Sequence, residues 1–326
     1  MKGRDRDPQK ILVIKFGPLG EFVPALAAMR RIRQAHPRAK ITLLTTPAFE
    51  ALAKASRYFN TVDADGEPEG MGGWAALILR VRRGRYQRVY DLQTSPQTNM
   101  LFQMLRPFPP PWSGTATGCA LIHRNPKRIR LHTLERHADQ LKQAGIWPDA
   151  PVDAGTAPPP DLSWIISQQP DLRPVAGGVK PRPYVLLVPG GRKDRRWPIE
   201  RYGELAALLR MRGFDIVVIG GPEESALARA IQRHAQARDL TGRTDFAQMA
   251  AIAARAALAV GNDSGPMQLI AAAGTPMLVL FSKLSDPSLT APRGHVSVLR
   301  SPNLADLAVA EVTRAVQHLI PPTPVP

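Results

Sequence analysis

The sequence predicts an α/β protein of GT-B-like architecture: two Rossmann-like domains with mostly parallel sheets, facing each other across a cleft. Three observations carry that prediction. Short apolar runs alternate with helical stretches at the pace of βαβ units. The alternation stops in a proline-rich segment and then starts again, giving two similar halves. The chain has 326 residues, enough for two domains of ordinary size. The expected limits are residues 1–165 for the first domain, 166–183 for a proline-rich linker and 184–326 for the second domain.

The elements follow in order. Residues 11–16 form an apolar run with one Lys, bounded by Gly17-Pro18-Leu19-Gly20, and read as a buried parallel strand. Residues 24–35 have helical spacing and end near His36-Pro37. Strands are expected at 41–44, around Val62, and at 89–92, with helices at 49–55 and 74–83. Prolines then crowd the window 148–183, of which 161–168 reads as helix and the rest as linker. The second half gives strands at 184–188, 214–219, 258–260 and 277–281. Its helices are expected at 199–212, 225–235, 246–255, 267–273 and 309–319. No short internal repeat of the solenoid kind is present.

Composition narrows the function. The hydrophobic share of 44% and charged share of 21% fit a folded, soluble protein. No apolar run approaches the ~18 residues needed to span a bilayer. The longest, 269–281, is broken by Gly274 and Pro276. The amino terminus is charged and does not read as a signal peptide. A lone cysteine, Cys119, fits a reducing cytosol. Seven histidines lie scattered without metal-ligand spacing, so no metal is expected. The net charge of +16 is uneven: residues 1–150 hold 24 Lys/Arg against 12 Asp/Glu, and residues 151–326 hold 19 against 15. Either the basic first half presents solvated helix faces, or it meets an anionic partner such as a phosphorylated lipid or a membrane surface. Nucleic acid is not expected, because aromatics make up only 6% and no nucleic-acid-binding signature is present.

Four segments sit where strands should end, at the carboxyl edge where ligands bind open α/β sheets. Lys15 to Glu21 places an acid on a glycine-containing loop before a helix; Glu21 is either a carboxylate facing the cleft or an acid in a helix's first turn. The loop lacks G-x-G-x-x-G, so no nicotinamide or flavin cofactor is expected. Val188-Pro189-Gly190-Gly191-Arg192-Lys193-Asp194-Arg195-Arg196 runs from a strand into two glycines and then basic residues. Arginine there could grip phosphate with two parallel bonds. Gly220-Gly221-Pro222-Glu223-Glu224 repeats strand, glycine turn, acid and helix, and its glycines would allow close approach of a ligand. Val260-Gly261-Asn262-Asp263-Ser264-Gly265-Pro266 ends an apolar run in a small polar turn. It places Pro266 at the first helical position, an arrangement that aims backbone N–H groups at an anion. His132, Glu135 and Arg136 share a helical face by spacing, which alone indicates a surface ion-pair cluster.

Taken together these segments resemble glycosyltransferase family 9, the ADP-heptose:lipopolysaccharide heptosyltransferases. The resemblance rests on Leu240-Thr241-Gly242-Arg243-Thr244, the stretch 246–257, Val260 to Pro266, and Ala271-Ala272-Ala273-Gly274-Thr275-Pro276. In the first half it rests on residues 11–21, Asp91-Leu92-Gln93, and His132-x-x-Glu135-Arg136 up to Ala144-Gly145-Ile146. It implies an inverting, metal-independent glycosyltransferase with the acceptor on the first domain and an ADP-linked sugar on the second. Glu21 and Arg195 would be catalytic. Gly190, Gly191, Arg192, Gly220, Gly221, Asn262, Asp263, Ser264, Gly265 and Gln268 would hold the donor, and Lys15, Gly20, Asp91, Gln93, His132 and Arg136 the acceptor. No cofactor beyond the nucleotide sugar is implied. The expected acceptor is an anionic glycolipid or glycan, and the expected location is the cytoplasm, in peripheral contact with the inner membrane. The chain departs from the family pattern with Glu21 for Asp, Arg195 for Lys, Gln268 for His, Thr94 for Gly, Gln97 for Lys, and Ser282-Lys283 for Gly-Pro. A non-catalytic paralogue that binds nucleotide sugar or lipid, and a GT-B-like nucleotide-sugar epimerase, are the alternatives.

Overall fold

The computed structural model describes residues 9–152, 155–167 and 183–320. The chain divides into two compact units, one ending at Pro160 and the other beginning at Asp161. Most of the segment expected to be a linker, 166–183, lies outside the described residues.

The first unit runs β1 (Lys10–Ile14), α1 (Leu19–Ala35), β2 (Lys40–Leu44), α2 (Pro47–Ala55), β3 (Thr61–Asp63), α3 (Gly70–Gly84), β4 (Arg88–Asp91), α4 (Pro96–Met104), β5 (Trp112–Gly114), β6 (Leu121–Ile122) and α5 (Thr133–Gln143). Its strands form one sheet in the order β3-β2-β1-β4-β5-β6, every pair parallel. On one face Leu12, Ile14 and Val89 pack with Leu77 and Val81 of α3 and with Leu101 and Phe102 of α4. Phe22 of α1 stacks on Phe49 of α2 with ring centres 4.1 Å apart. Helix α1 starts five residues before the expected position at Pro24, because Glu21 and Phe22 both donate backbone N–H groups to Pro18 and close a turn ahead of the proline. Pro24 then removes only one ladder bond.

The second unit begins with α6 (Ser163–Ser167) and continues β7 (Tyr184–Val188), α7 (Ile199–Met211), β8 (Asp215–Val218), α8 (Ser225–Gln232), β9 (Arg238–Asp239), α9 (Phe246–Ala253), β10 (Leu258–Asn262), α10 (Gly265–Ala272), β11 (Met277–Phe281), α11 (Pro287–Thr290), β12 (Val296–Arg300) and α12 (Val309–Gln317). The sheet order is β12-β11-β10-β7-β8-β9, again all parallel. Numbered within its own unit, this is the strand order of the first sheet repeated. Trp197, 1% exposed, packs edge-on against Tyr202 at 4.9 Å and donates its indole N–H to the Leu307 carbonyl at 2.9 Å.

Strands β5, β6, β9 and β12 and helices α4 and α11 have no counterpart among the expected elements. β10 extends two residues beyond the expected end, through Gly261 and Asn262, and α10 begins at Gly265 rather than Met267. In both sheets the chain changes direction at the centre, between β1 and β4 and between β7 and β10. That switch point opens a crevice at the carboxyl ends of the strands.

Gly261 sits at the second switch point with no room for a side chain. An added Cβ would lie 2.7 Å from the Met267 sulfur and 2.9 Å from the Val188 carbonyl oxygen. Gly261→Ala should therefore lower stability by about 1–3 kcal/mol through overpacking. The check is the midpoint of chemical denaturation relative to the unaltered protein.

Candidate functional site

At the first switch point the β1 loop and the end of β4 bring opposite charges together. Lys15, 3% exposed, donates to Glu21 Oε2 at 3.1 Å, while the Glu21 side chain is 55% exposed. Gly17, at φ 72°, marks the centre of the group: an added Cβ would meet Glu21, Gln93 and Lys15 at 3.2, 3.3 and 3.5 Å. Gln93 is held there by accepting the Phe16 N–H at 3.2 Å. Asp91 is fully buried, and its Oδ1 accepts the N–H groups of Gln93 at 3.1 Å and Thr94 at 2.8 Å. Burial pushes the Asp91 carboxyl up to about 6, against the pull of those bonds and of Lys15. Burial also lowers Lys15 from its ordinary value, with Glu21 and Asp91 opposing it.

Two further cations complete this cluster. Arg128 donates to the Thr94 hydroxyl and, at 3.2 Å, to His123 Nδ1. Arg136 donates to the Leu131 carbonyl at 3.3 Å, and its buried Nε has no hydrogen-bond partner among the described residues. His137 is held well below its ordinary value by burial and by Lys15, Arg136 and Arg128, so its ring stays neutral. Thr94 adopts a left-handed conformation, φ 47°, which favours glycine, the residue usual there in the resembling family. The Asp91 and Arg128 bonds hold it in place.

At the second switch point Asn262 is the organising residue. It is fully buried, accepts the Trp197 N–H at 2.9 Å, and donates to the Pro189 and Gly190 carbonyls at 2.9 and 3.0 Å. These bonds press the 189–197 loop against the turn that starts α10. An added Cβ at Gly191, φ 108°, would lie 3.5 Å from both the Asp263 carbonyl oxygen and Ser264 Cβ. Arg195 Nη1 stands 3.9 Å from Asp263 Oδ2, and burial raises the Asp263 carboxyl above its ordinary value. The Arg195 Nε and the Ser264 hydroxyl are both buried without a hydrogen-bond partner among the described residues. Ser264 is the N-cap of α10, where backbone N–H groups lack intrahelical partners and the helix dipole favours an anion.

The remaining residues singled out in the sequence lie as follows. Gly20 is the second residue of α1. Gly190 and Gly220 make room for a neighbouring side chain: an added Cβ would approach the Glu224 carboxylate to 2.4 and 2.8 Å respectively. Glu224 accepts the Gly221 N–H at 2.5 Å and approaches Arg196 to 3.8 Å. Arg192 points into solvent, 69% exposed, paired with Asp194 at 2.8 Å. Gln268 donates to the Thr290 carbonyl at 2.6 Å.

The expected surface ion-pair cluster at His132 is instead buried. His132 Nδ1 accepts the Leu134 N–H at 3.2 Å as the cap of α5, and Glu135, 2% exposed, accepts the Ala157 N–H at 3.0 Å. The α5 face packs inward against α1. Arg128 and His137 are not marked by the sequence; no motif spacing links them to their partners, which only the fold brings near. Among the described residues no group of three His, Cys, Asp or Glu side chains could hold a metal ion.

With this geometry in hand, comparison with known proteins identifies the family. The model of glycosyltransferase family 9 (heptosyltransferase) matches residues 74–312. The chain belongs to that family. It is 25% identical over 314 residues to lipopolysaccharide heptosyltransferase 2 of Escherichia coli K12, covering 88% of this chain and 86% of the relative. Its fold superposes on a family 9 glycosyltransferase from Veillonella parvula with TM-score 0.80 at 18% identity, covering 95% and 97% of the two chains. It superposes on E. coli heptosyltransferase WaaC with ADP at TM-score 0.74 and 21% identity, covering 95% and 99%. The protein is a glycosyltransferase of GT-B fold.

The buried carboxyl of this glycosyltransferase gives a pH prediction. Asp91 has its folded value raised above its ordinary one, so its contribution is fully present below about pH 4 and is lost as pH rises through about 6. The loss corresponds to roughly 3 kcal/mol at most. Asp91→Asn should abolish that component. Denaturant unfolding of both proteins from pH 4 to 8 checks it: their stability difference should shift in favour of the variant as pH rises.

Proposed function

We propose that this enzyme is an inverting transferase that moves a heptose or related sugar from an ADP-linked donor to an anionic acceptor of lipopolysaccharide-core type. The observation that carries the donor side is the unsatisfied pair at the head of α10, Arg195 Nε and Ser264 Oγ, in a loop whose shape Asn262 fixes. A diphosphate supplies acceptor oxygens for both. The relatives' names point the same way: one solved relative holds ADP, and the curated relative acts on lipopolysaccharide.

The reaction follows from the two clusters. The acceptor hydroxyl oxygen attacks the anomeric carbon as the bond from that carbon to the diphosphate breaks. Glu21, exposed and positioned by Lys15, takes the hydroxyl proton. The electron pair of the broken bond stays on the nucleoside diphosphate. Arg195, Ser264 and the N-terminus of α10 stabilise the charge that builds there. Asp263 orders the loop beside Arg195. In the first unit Lys15, Arg128 and Arg136 form a cationic surround suited to an acceptor that carries phosphate or carboxylate. The larger excess of positive charge on that half of the chain supports the same assignment. An acceptor of this kind is made at the cytoplasmic face of the inner membrane, where the enzyme would work.

Glu21→Gln should lower kcat by about 100-fold or more while the affinity for ADP-sugar barely changes. Glu21→Asp, which keeps the charge, should retain a substantial part of the rate. Steady-state kinetics with isothermal titration of the donor separate the two quantities. Full activity in the Gln variant would leave Glu21 a first-turn helix acid and nothing more.

Arg195→Ala should weaken donor binding or turnover by the equivalent of about 2–4 kcal/mol, because it strips a charged donor from the diphosphate. Titration with ADP alone reads this without the acceptor. Unchanged ADP affinity would move the phosphate site away from α10.

A further inference from the structure

We propose that the outer face of α3 and α4 in the first unit is a docking surface for an anionic lipid bilayer. Of the 15 residues of α3, GMGGWAALILRVRRG, only Leu77 and Val81 are buried. The helix nevertheless carries almost no polar side chain before Arg80. Met71 is 91% exposed and Leu79 49%. Beside it α4 exposes Met100 and Met104, and the loop that follows holds Phe108 at 90%. The two helices are neighbours: Arg82 donates to the Met104 and Arg106 carbonyls at 2.9 and 3.1 Å. An apolar face of this extent on an outward helix calls for a partner.

The charge around the face identifies that partner. Glu67 and Glu69 stand exposed before α3, at its Met71 end; from Met71 to Leu134 the sequence holds ten Lys/Arg and a single acid, Asp91, which is fully buried, so the cations gather toward the far end of α3 and α4. The cations nearest the apolar residues are Arg82, Arg83, Arg85 and Arg106, and none of them forms an ion pair among the described residues. Apolar side chains that enter the acyl boundary, rimmed by arginines that meet phosphate headgroups, are the pattern of an interfacial helix. A second copy of this face would bring those guanidiniums against their own equivalents across a twofold axis. Single-stranded nucleic acid needs a row of stacking aromatics, and Phe108 stands as the one fully exposed ring here.

The position fits the chemistry. Helix α3 follows β3 at the carboxyl end of the sheet, the end that holds Lys15 and Glu21, and runs back along the sheet for about 22 Å. A bilayer against this face flanks the acceptor cluster without capping it. A lipid-borne acceptor could then be reached from the side. The purpose of the surface thus rests on the proposed acceptor. The binding itself does not, and the flotation that reads it contains neither donor nor acceptor.

The test is flotation of the full chain with vesicles of phosphatidylglycerol and phosphatidylcholine mixed about 3:7, and with phosphatidylcholine alone. Binding is expected with the anionic vesicles and not with the neutral ones, and it should fall as salt rises past the ~10 Å screening length. Leu79→Ser with Phe108→Ser should weaken binding by about tenfold or more. Arg83→Gln should weaken it by about fivefold. Both variants alter exposed positions, so thermal unfolding should match the parent and transfer to a delipidated acceptor fragment should be retained. Absence of anionic-vesicle binding overturns the proposal, as does equal binding by the variants. Light scattering that shows a dimer dispersed by Leu79→Ser and Phe108→Ser would overturn it in favour of a self-association face, and preferential capture of an RNA homopolymer would overturn it in favour of nucleic acid.

Discussion

A buried polar side chain at the end of one central strand shapes each half of this protein. At a switch point the loops that leave two adjacent paired strands run to opposite faces of the sheet, and those loops carry backbone groups that the sheet does not satisfy. In the second unit Asn262 resolves this with both ends of its carboxamide, bonding the Trp197 N–H and the Pro189 and Gly190 carbonyls. In the first unit Asp91 is the last residue of β4, which pairs with β1 as β10 pairs with β7. Its carboxylate takes the Gln93 and Thr94 N–H groups, and Gln140 donates to its carbonyl at 2.8 Å.

The chemical difference between these two residues sets the character of each site. An amide can be satisfied without charge, so the second switch point stays neutral at its root, and the Nε of Arg195, proposed to meet the diphosphate, is buried there without a partner among the described residues. A buried carboxylate requires compensation, and the first switch point gathers Lys15 within the same crevice. Lys15 in turn anchors Glu21, which extends toward solvent. The acid proposed as the base is therefore positioned by a chain of interactions that begins in the sheet. Helices α1 and α10 add the other half of each arrangement, since both start directly after the strand-end loops.

Much of this was legible in the sequence, for reasons that can be stated. Strands at 184–188 and 277–281 are continuous apolar runs buried on both faces, the pattern that a parallel sheet imposes. The loops after β1, β7 and β10 announce themselves by glycine and proline at a sharp change of hydropathy. The edge strands β6 and β9 are two residues each, too short to generate any periodicity. β12 alternates partly exposed residues and offers no apolar run. Helix α4 begins with Ser95 as a capping box closed by Thr98 rather than by the usual Glu or Gln, so its start signal is muted. The helical spacing of His132, Glu135 and Arg136 was visible, but spacing alone does not say that the face turns toward α1. Arg128 and His137 join the acceptor cluster only because the sheet order sets β4 beside β1 and β5.

Glu224 carries a consequence for how this sequence can vary. Its side chain occupies the space above Gly190 and Gly220 and bonds the Gly221 backbone, so the loop after β7 and the loop after β8 share one volume. A side chain at either glycine would have to displace the Glu224 carboxylate from its bond to Gly221, and shortening Glu224 first removes that obstruction to both. The order of mutational steps is thus constrained. Lineages that keep a long acid at this position should favour glycine at the other two, and drift at the glycines should be commoner where the acid has been lost.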